Sequence, residues 1–200
     1  MRRFGELYDS LDAGGSDDFK LAALAAYFGT AAAADAAWAL YLLSGRRMRR
    51  IVAPAVLLDW LREESGLPQW LIDESRSTVG DVAETIALLI EPGAIDGAAL
   101  DLSLATWIEE RIAPLRNAEE KEQRESVVRW WRSLPYRECL LVNKLLTGTF
   151  RLEVPGFLLT RALARALDVP STEIACRLAT DWQPSETFWE NLRGGGRSGW

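Results

Sequence analysis

The chain has 200 residues, of which 48% are hydrophobic and 26% are charged, so it can form one large domain with a buried core, or one domain and a fragment of another. It has no apolar run of about 18 residues and no apolar stretch after its first arginines, which argues against a transmembrane helix and a secretion signal. It has no histidine, and its only cysteines, Cys139 and Cys176, form no CxxC motif. This composition argues against a zinc site and predicts a reduced, cytoplasmic protein.

The net charge of −6 is distributed unevenly along the chain. Residues 46–50, with the sequence Arg-Arg-Met-Arg-Arg, carry a charge of +4, and residues 129–165 carry 7 basic and 2 acidic side chains, a net charge of +5. Two compact basic segments in an otherwise acidic chain are typical of a protein that contacts a polyanion on one face. The acidic stretches are residues 1–45, 51–128 and 166–200, with net charges of −3, −10 and −2.

Helical periodicity recurs along almost the whole chain and predicts an all-α fold, an irregular bundle of about a dozen helices without a fixed repeat. These helices form one predicted domain, residues 1–192, followed by a glycine-rich stretch, residues 193–200, that reads as a flexible tail or the start of an interdomain linker. In chain order, the predicted helices span residues 2–11, 19–28 with Ser16 as cap, 33–43, 54–66, 68–72 and beyond, 78–90, 102–115, 119–134, 135–147, 155–167, 170–178 and 185–192.

The stretch 135–167 predicts a helix, a tight turn, a short extended segment and a second helix. Gly148 lies where a helix C-terminus favours a residue that tolerates positive φ, and Pro155 suits the first turn of the next helix. A glycine turn and a helix N-terminus among basic side chains can hold a phosphate backbone. The alternative is a helical hairpin with a solvated basic face. The basic side chains in question are Lys144, Arg151, Arg161 and Arg165.

Two further groups of charged residues have alternative interpretations. The arginines of residues 46–50 either contact phosphates or belong to a loop that satisfies helix C-termini. Asp81 and Glu84 lie three residues apart on one predicted helix face, as metal ligands or an acid–base pair would, but helical carboxylates more commonly cap helices or face solvent.

Four stretches of the sequence carry a resemblance to a known family. They are FGELYDSLD at 4–12, DAAWALYLLSGRR at 35–47, LPQWLIDESRSTVGDVAETIALL at 67–89 and NKLLTGTFRLEVPGFLLTRALA at 143–164. In this order they resemble the N-terminal DNA-binding domain of ATP-dependent DNA ligases, especially the bacterial ones. The resemblance covers residues 1–192 and implies an irregular bundle of about a dozen helices. It also implies a domain that binds nicked duplex DNA through the minor groove, by backbone contacts without sequence preference.

The resemblance implies DNA contacts at particular positions of this chain. One group lies at the glycine turn and the start of the next helix, and a second lies in a basic loop. This chain has Leu-Glu-Val-Pro where related ligases usually have a glycine-containing stretch, so Glu153 is expected to point away from a phosphate. The implied contacts are Lys144, Thr147, Gly148, Thr149, Arg151 and Gly156 in the first group, and Arg46, Arg47, Arg49 and Arg50 in the second.

The chain lacks the Lys-x-Asp-Gly motif whose lysine is adenylated in DNA ligases, because none of Lys20, Lys121 and Lys144 has this context. We therefore expect no catalytic residue, metal or cofactor in this chain, and no ligation by it alone; ATP and Mg²⁺ are implied for the full-length ligase. The resulting hypothesis is a non-catalytic domain that binds nicked duplex DNA in repair, replication and recombination, with a catalytic domain in cis or missing. The alternative is a helical protein-interaction scaffold without a nucleic-acid role.

Overall fold

The computed structural model describes residues 1–91, 93, 102–152 and 154–194. In these ranges the chain forms twelve helical segments and no strand, which confirms the predicted all-α fold. The segments are α1 (Arg2–Asp12), α2 (Asp17–Thr30), α3 (Ala33–Leu43), α4 (Pro54–Ser65), α5 (Gln69–Val79), α6 (Val82–Leu89), α7 (104–117), α8 (Glu120–Ser133), α9 (Tyr136–Thr147), α10 (Gly156–Leu167), α11 (Ser171–Leu178) and α12 (Glu186–Arg193).

Two of the predicted helices differ from the observed ones. The predicted helix 78–90 is wrong at its start, because α5 continues to Val79, Gly80 turns with a φ of 77°, and Asp81 caps α6. The segment α7 has the predicted position but changes its winding, from an α turn through a π-helix (Trp107–Ile112) to a 3₁₀-helix (Ala113–Asn117). The change falls beside a proline, which lacks an amide donor and crowds the preceding turn.

The chain divides into two compact units. The first unit comprises Met48–Phe150 with Met1–Arg2, and the second comprises Arg3–Arg47 with the described residues from Arg151 onward. The single domain predicted for residues 1–192 stays a prediction. The predicted tail begins in the last turn of α12, and its residues 195–200 lie outside the described ranges. In the described part of the chain, no helix has the length and apolar character needed to cross a bilayer.

The core of the first unit contains a polar connection between three helices. The indole Nε1 of Trp131 in α8 donates a hydrogen bond of 2.7 Å to Asn143 Oδ1 in α9, and both side chains are fully buried. Asn143 Nδ2 in turn donates to the Ala83 carbonyl of α6, at 3.4 Å. Because buried polar groups without partners are costly, this set of bonds fixes how α6, α8 and α9 pack.

In the second unit, α10 packs against α2, and α12 packs against α3. Leu158, Leu159, Ala162 and Leu163 form the buried face of α10, at the helical spacing that the sequence predicts. Phe28 of α2 stacks on Trp189 of α12, with ring centroids 5.6 Å apart. This packing places the start of α10 and its outer face at the surface of the unit.

Gly148 allows a close approach of two backbones in the first unit. The residue ends α9 with a φ of 65°, and a Cβ atom built on it would lie 2.9 Å from the Met48 carbonyl oxygen. Gly66 ends α4 with the same φ of 65°, but a Cβ atom there would have no neighbour within 4 Å. The two glycines therefore share a backbone conformation and differ in the space around them.

We expect Gly148→Ala to destabilise the protein more than Gly66→Ala. The Gly66 variant loses about 1–2 kcal/mol from the left-handed conformation alone. The Gly148 variant loses the same amount and about 1–3 kcal/mol more, because its new methyl group must displace the Met48 carbonyl. Urea denaturation of both variants measures the difference, and equal losses would contradict the proposed close approach.

Candidate nucleic-acid interface

The turn at the end of α9 uses its own amides to close the helix. The Gly148 amide donates to Leu145 O at 3.3 Å, and the Thr149 amide donates to Lys144 O at 3.0 Å. This pair of bonds is a Schellman motif, which satisfies the last carbonyls of a helix. The expectation that the Gly148 turn offers amide donors to a phosphate is therefore wrong for these two amides.

Residues 48–52, which include Arg49 and Arg50 of the arginine-rich stretch 46–50, lie directly on this turn and are called the basic segment below. The amides of Ile51 and Val52 both donate to Leu146 O, at 2.9 and 3.2 Å, so the backbone of the segment satisfies a carbonyl at the end of α9. The side chains of Arg49 and Arg50 are exposed and, within the described residues, form no hydrogen bond or ion pair. Both interpretations of this segment are thus compatible: its backbone caps a helix C-terminus while these two guanidinium groups face solvent.

Lys144 is buried, and its ammonium group already has an anionic partner. Its side chain is only 10% exposed, and Nζ donates a hydrogen bond of 2.8 Å to Asp81 Oδ2. Because the Asp81 carboxylate already offsets its charge, Lys144 is not a freely available positive charge, and its predicted phosphate contact stays a prediction. The sequence contains no signal for the pairing, because the two residues are 63 positions apart.

Asp81 and Glu84 have structural roles in this region. Asp81 Oδ1 accepts the Glu84 amide of α6 at 2.9 Å, which makes Asp81 the N-cap of that helix. Glu84 Oε1 accepts a hydrogen bond from the Tyr136 hydroxyl at 3.3 Å. Among the described residues, no group of three or more Cys, Asp or Glu side chains could hold a metal ion.

The two threonines of the turn differ in accessibility. The Thr147 hydroxyl is buried and donates to Asn143 O at 2.7 Å. Its oxygen also lies 2.7 Å from the Thr149 hydroxyl oxygen, and Thr149 is partly exposed. Only Thr149 of this pair is therefore placed to contact a ligand at the surface, while the buried Thr147 hydroxyl shares a hydrogen bond with it.

In the second unit, Arg46 and Arg47 have different environments although they are neighbours in sequence. The Arg46 guanidinium group lies over the Trp182 ring, 4.5 Å from its centroid, and donates to Trp182 O at 3.0 Å. It also lies 3.7 Å from Asp181. Arg46 therefore connects the end of α3 to the segment after α11, and its predicted phosphate contact stays a prediction. The Arg47 side chain is exposed.

The start of α10 and its outer face supply the remaining predicted residues. Pro155 precedes the helix without a side-chain cap, and the first backbone bond of the helix is donated by Leu158, to Pro155 O at 2.8 Å. A Cβ atom on Gly156 would have no neighbour within 4 Å, so its backbone is open to a ligand. The predicted contacts Arg151, Arg161 and Arg165 are all exposed. Glu153 lies outside the described residues, so its expected orientation stays a prediction.

Burial alone would raise the pKa of Asp81, but hydrogen bonds from Lys144 and from the Glu84 and Ala83 amides, together with the Lys144 charge, lower it below its ordinary value of 3.8. The folded state therefore prefers the ionised carboxylate. This preference stabilises the fold above pH 3.8 and is lost as the pH falls through the lower pKa of the folded state.

We expect the stability difference between the wild type and Asp81→Asn to shrink as the pH falls below 3.8, since the amide does not titrate. Urea denaturation between about pH 6 and pH 3 measures both free energies of unfolding. An Asp73→Asn variant, altered at an exposed position of α5, is the control. A difference that stays constant over this range would show that the ion pair does not favour the folded state.

Arg46→Met should lower the free energy of unfolding by about 1–2 kcal/mol, because it removes a cation–π contact and a hydrogen bond. Arg47→Met removes the same charge from an exposed neighbour and should change stability by less than about 0.5 kcal/mol. Thermal unfolding of the two variants makes the comparison. Equal effects would show that the Trp182 contact contributes nothing.

The family described as "DNA ligase N terminus" matches residues 1–164 of this chain. The match extends from α1 into α10 and includes the Gly148 turn and the basic segment, while α11 and α12 follow it. No curated protein matches the chain significantly. Because the family match spans well over half of the sequence, the chain belongs to the family of N-terminal domains of ATP-dependent DNA ligases.

Proposed function

We propose that this chain binds nicked duplex DNA through the phosphate backbone, without sequence preference, as the non-catalytic N-terminal domain of an ATP-dependent DNA ligase. Membership of the ligase family supports this function. The observation that carries it is the exposure of Arg49 and Arg50 on a segment whose backbone is fixed to the end of α9. Two guanidinium groups carried on a fixed backbone suit bidentate recognition of phosphate oxygens.

The electrostatics of the α9 end explain why arginines are needed there. A helix C-terminus carries a partial negative charge, which repels a phosphate. Arg49 and Arg50 offset this charge and add attraction, so the local field can favour an anion. The hydroxyl of the partly exposed Thr149 can add a neutral hydrogen bond to a phosphate oxygen.

The second unit offers a different set of phosphate-binding groups. At the N-terminus of α10 the helix dipole is positive, and the first amides precede any helical hydrogen bond. Arg161 and Arg165 lie one turn apart on the exposed face of the same helix. We propose that these groups, with Arg151, contact further phosphates, while Gly156 lets the DNA backbone approach closely.

The chemistry of strand joining belongs to residues outside this chain in our proposal. Ligation needs a lysine in a Lys-x-Asp-Gly motif, ATP and Mg²⁺, which a catalytic domain in cis or a separate polypeptide would supply. The present chain would hold the substrate during repair, replication and recombination, in the cytoplasm. Alone it should bind DNA and join no ends.

The salt dependence of binding tests the proposed backbone contacts. Each phosphate neutralised contributes about 0.9 to the slope of log affinity against log salt concentration. Arg49→Gln with Arg50→Gln should therefore lower the slope by up to about 2 and weaken binding of all DNA sequences alike. Anisotropy titrations with a labelled nicked duplex at several salt concentrations measure both quantities.

Arg76→Gln, which removes an exposed arginine from α5, is the matched control and should leave the slope unchanged. A wild-type affinity that does not depend on salt would contradict backbone binding. A loss confined to one DNA sequence in the Arg49 and Arg50 variant would instead indicate base recognition.

A protein-interaction scaffold is the second candidate, and exposed apolar side chains favour it. Trp70 of α5 is 68% exposed and Leu88 of α6 is 55% exposed, although both belong to the compact first unit. Large exposed apolar groups are common at protein interfaces. This candidate predicts a stoichiometric protein partner whose binding is lost in Trp70→Ala, and no affinity for DNA.

A further inference from the structure

We infer that Asp81 and Lys144 are positioning residues for DNA binding, and that their ion pair holds the end of α9 in the orientation that presents Arg49 and Arg50 to phosphates. This inference rests on the proposed function, because it assigns a role to residues beneath the same surface. It gives Lys144 a different role from a direct phosphate ligand.

The first step of the argument is the location of the ion pair. Lys144 belongs to the last turn of α9, and its Nζ lies 2.8 Å from Asp81 Oδ2. Asp81 is itself fixed, because its other carboxylate oxygen accepts the Glu84 amide and thereby caps α6. One buried side chain thus connects the end of α9 to the start of α6.

The second step connects this turn to the basic segment. The carbonyl of Lys144 accepts the Thr149 amide, which closes the helix, and the carbonyl of Leu146 accepts two amides of the basic segment. A Cβ atom on Gly148 would lie 2.9 Å from the Met48 carbonyl oxygen and 3.4 Å from the Arg50 amide nitrogen, so the two backbones are in direct contact there. A shift of the last turn of α9 therefore moves the backbone that carries Arg49 and Arg50.

The third step is the energetic cost of using the Lys144 ammonium group as a phosphate ligand. The pair is partly buried, with 10% of the Lys144 side chain and 31% of the Asp81 side chain exposed, so removing either partner leaves a poorly solvated charge. A phosphate at Lys144 would share the ammonium group with a carboxylate that already accepts from it at 2.8 Å, and the two anions would repel each other. The ion pair is therefore suited to holding the end of α9 in one orientation, and the exposed arginines are suited to binding phosphate.

The two roles of Lys144 predict opposite effects of Asp81→Asn. If Lys144 were a phosphate ligand, the variant would release its ammonium group and remove a negative charge, so DNA would bind more tightly than to the wild type. If the pair positions the turn, the variant loses this constraint and DNA binds more weakly. The substitution keeps an oxygen that can still cap α6, since asparagine is also a good N-cap.

We would titrate the full 200-residue chain with a labelled nicked duplex at low salt, comparing the wild type with Asp81→Asn, Lys144→Met and the double variant. The expected result is about a tenfold loss of affinity in each single variant and no further loss in the double variant. Asp73→Asn removes an equal charge from α5 of the same unit and corrects for the change in long-range attraction.

Amide hydrogen exchange of the DNA-free protein gives an independent local readout. In Asp81→Asn the amides of Ile51 and Val52, which bond to the end of α9, should exchange faster, while those in the middle of α8 should not change. General destabilisation would accelerate both sets. If Asp81→Asn does not fold, the exchange of Ile51 and Val52 in Lys144→Met decides, because loss of a mere phosphate ligand would leave that exchange in the DNA-free protein unchanged.

The outcomes separate the two proposals. A wild-type chain that does not bind nicked duplex DNA overturns the proposed function itself. Wild-type binding with an Asp81→Asn affinity equal to or above that of Asp73→Asn overturns only the positioning role. Unchanged exchange at Ile51 and Val52 in a folded Asp81→Asn variant also overturns it.

Discussion

The contact of two backbones at Gly148 is the constraint on which the candidate DNA-binding surface of the first unit depends. A left-handed glycine ends α9 and lets the segment 48–52 lie against the last helical turn. The segment then satisfies a helix carbonyl that would otherwise need water, and its arginine side chains remain at the surface. Helix termination, loop conformation and the display of positive charge thus follow from one residue without a side chain.

Neighbouring basic residues of this chain have different roles, which a count of charges does not show. Arg46 lies over an aromatic ring and beside an aspartate, and Lys144 is buried against Asp81. Arg49 and Arg50 have neither kind of partner within the described residues. The charge available to a polyanion is therefore smaller than the sequence indicates.

The sequence predicted most of the fold because helix ends depend on local signals. Ser16 caps α2, Pro54 begins α4, and Gly66 and Gly148 end helices with positive φ, all as their residue types indicate. The apolar periodicity does not indicate the break at Gly80, because it continues across this residue. The pair Gly80-Asp81 does indicate it, since glycine is common at helix C-termini and aspartate is common at N-caps. The partners of Lys144 and Arg46 could not be predicted, because they are 63 and 136 residues distant and only tertiary packing brings them together.

The hydrogen bond between Trp131 and Asn143 has an evolutionary consequence. The indole donor requires an acceptor at position 143, and the amide nitrogen of Asn143 donates to the Ala83 carbonyl and to Cys139 Sγ, so neither position can change freely alone. Relatives with phenylalanine at the position of Trp131 should tolerate an apolar residue in place of Asn143 only where the chain near Ala83 finds another donor. These sites should therefore vary together across the family, as a coupled set in the interior of the fold.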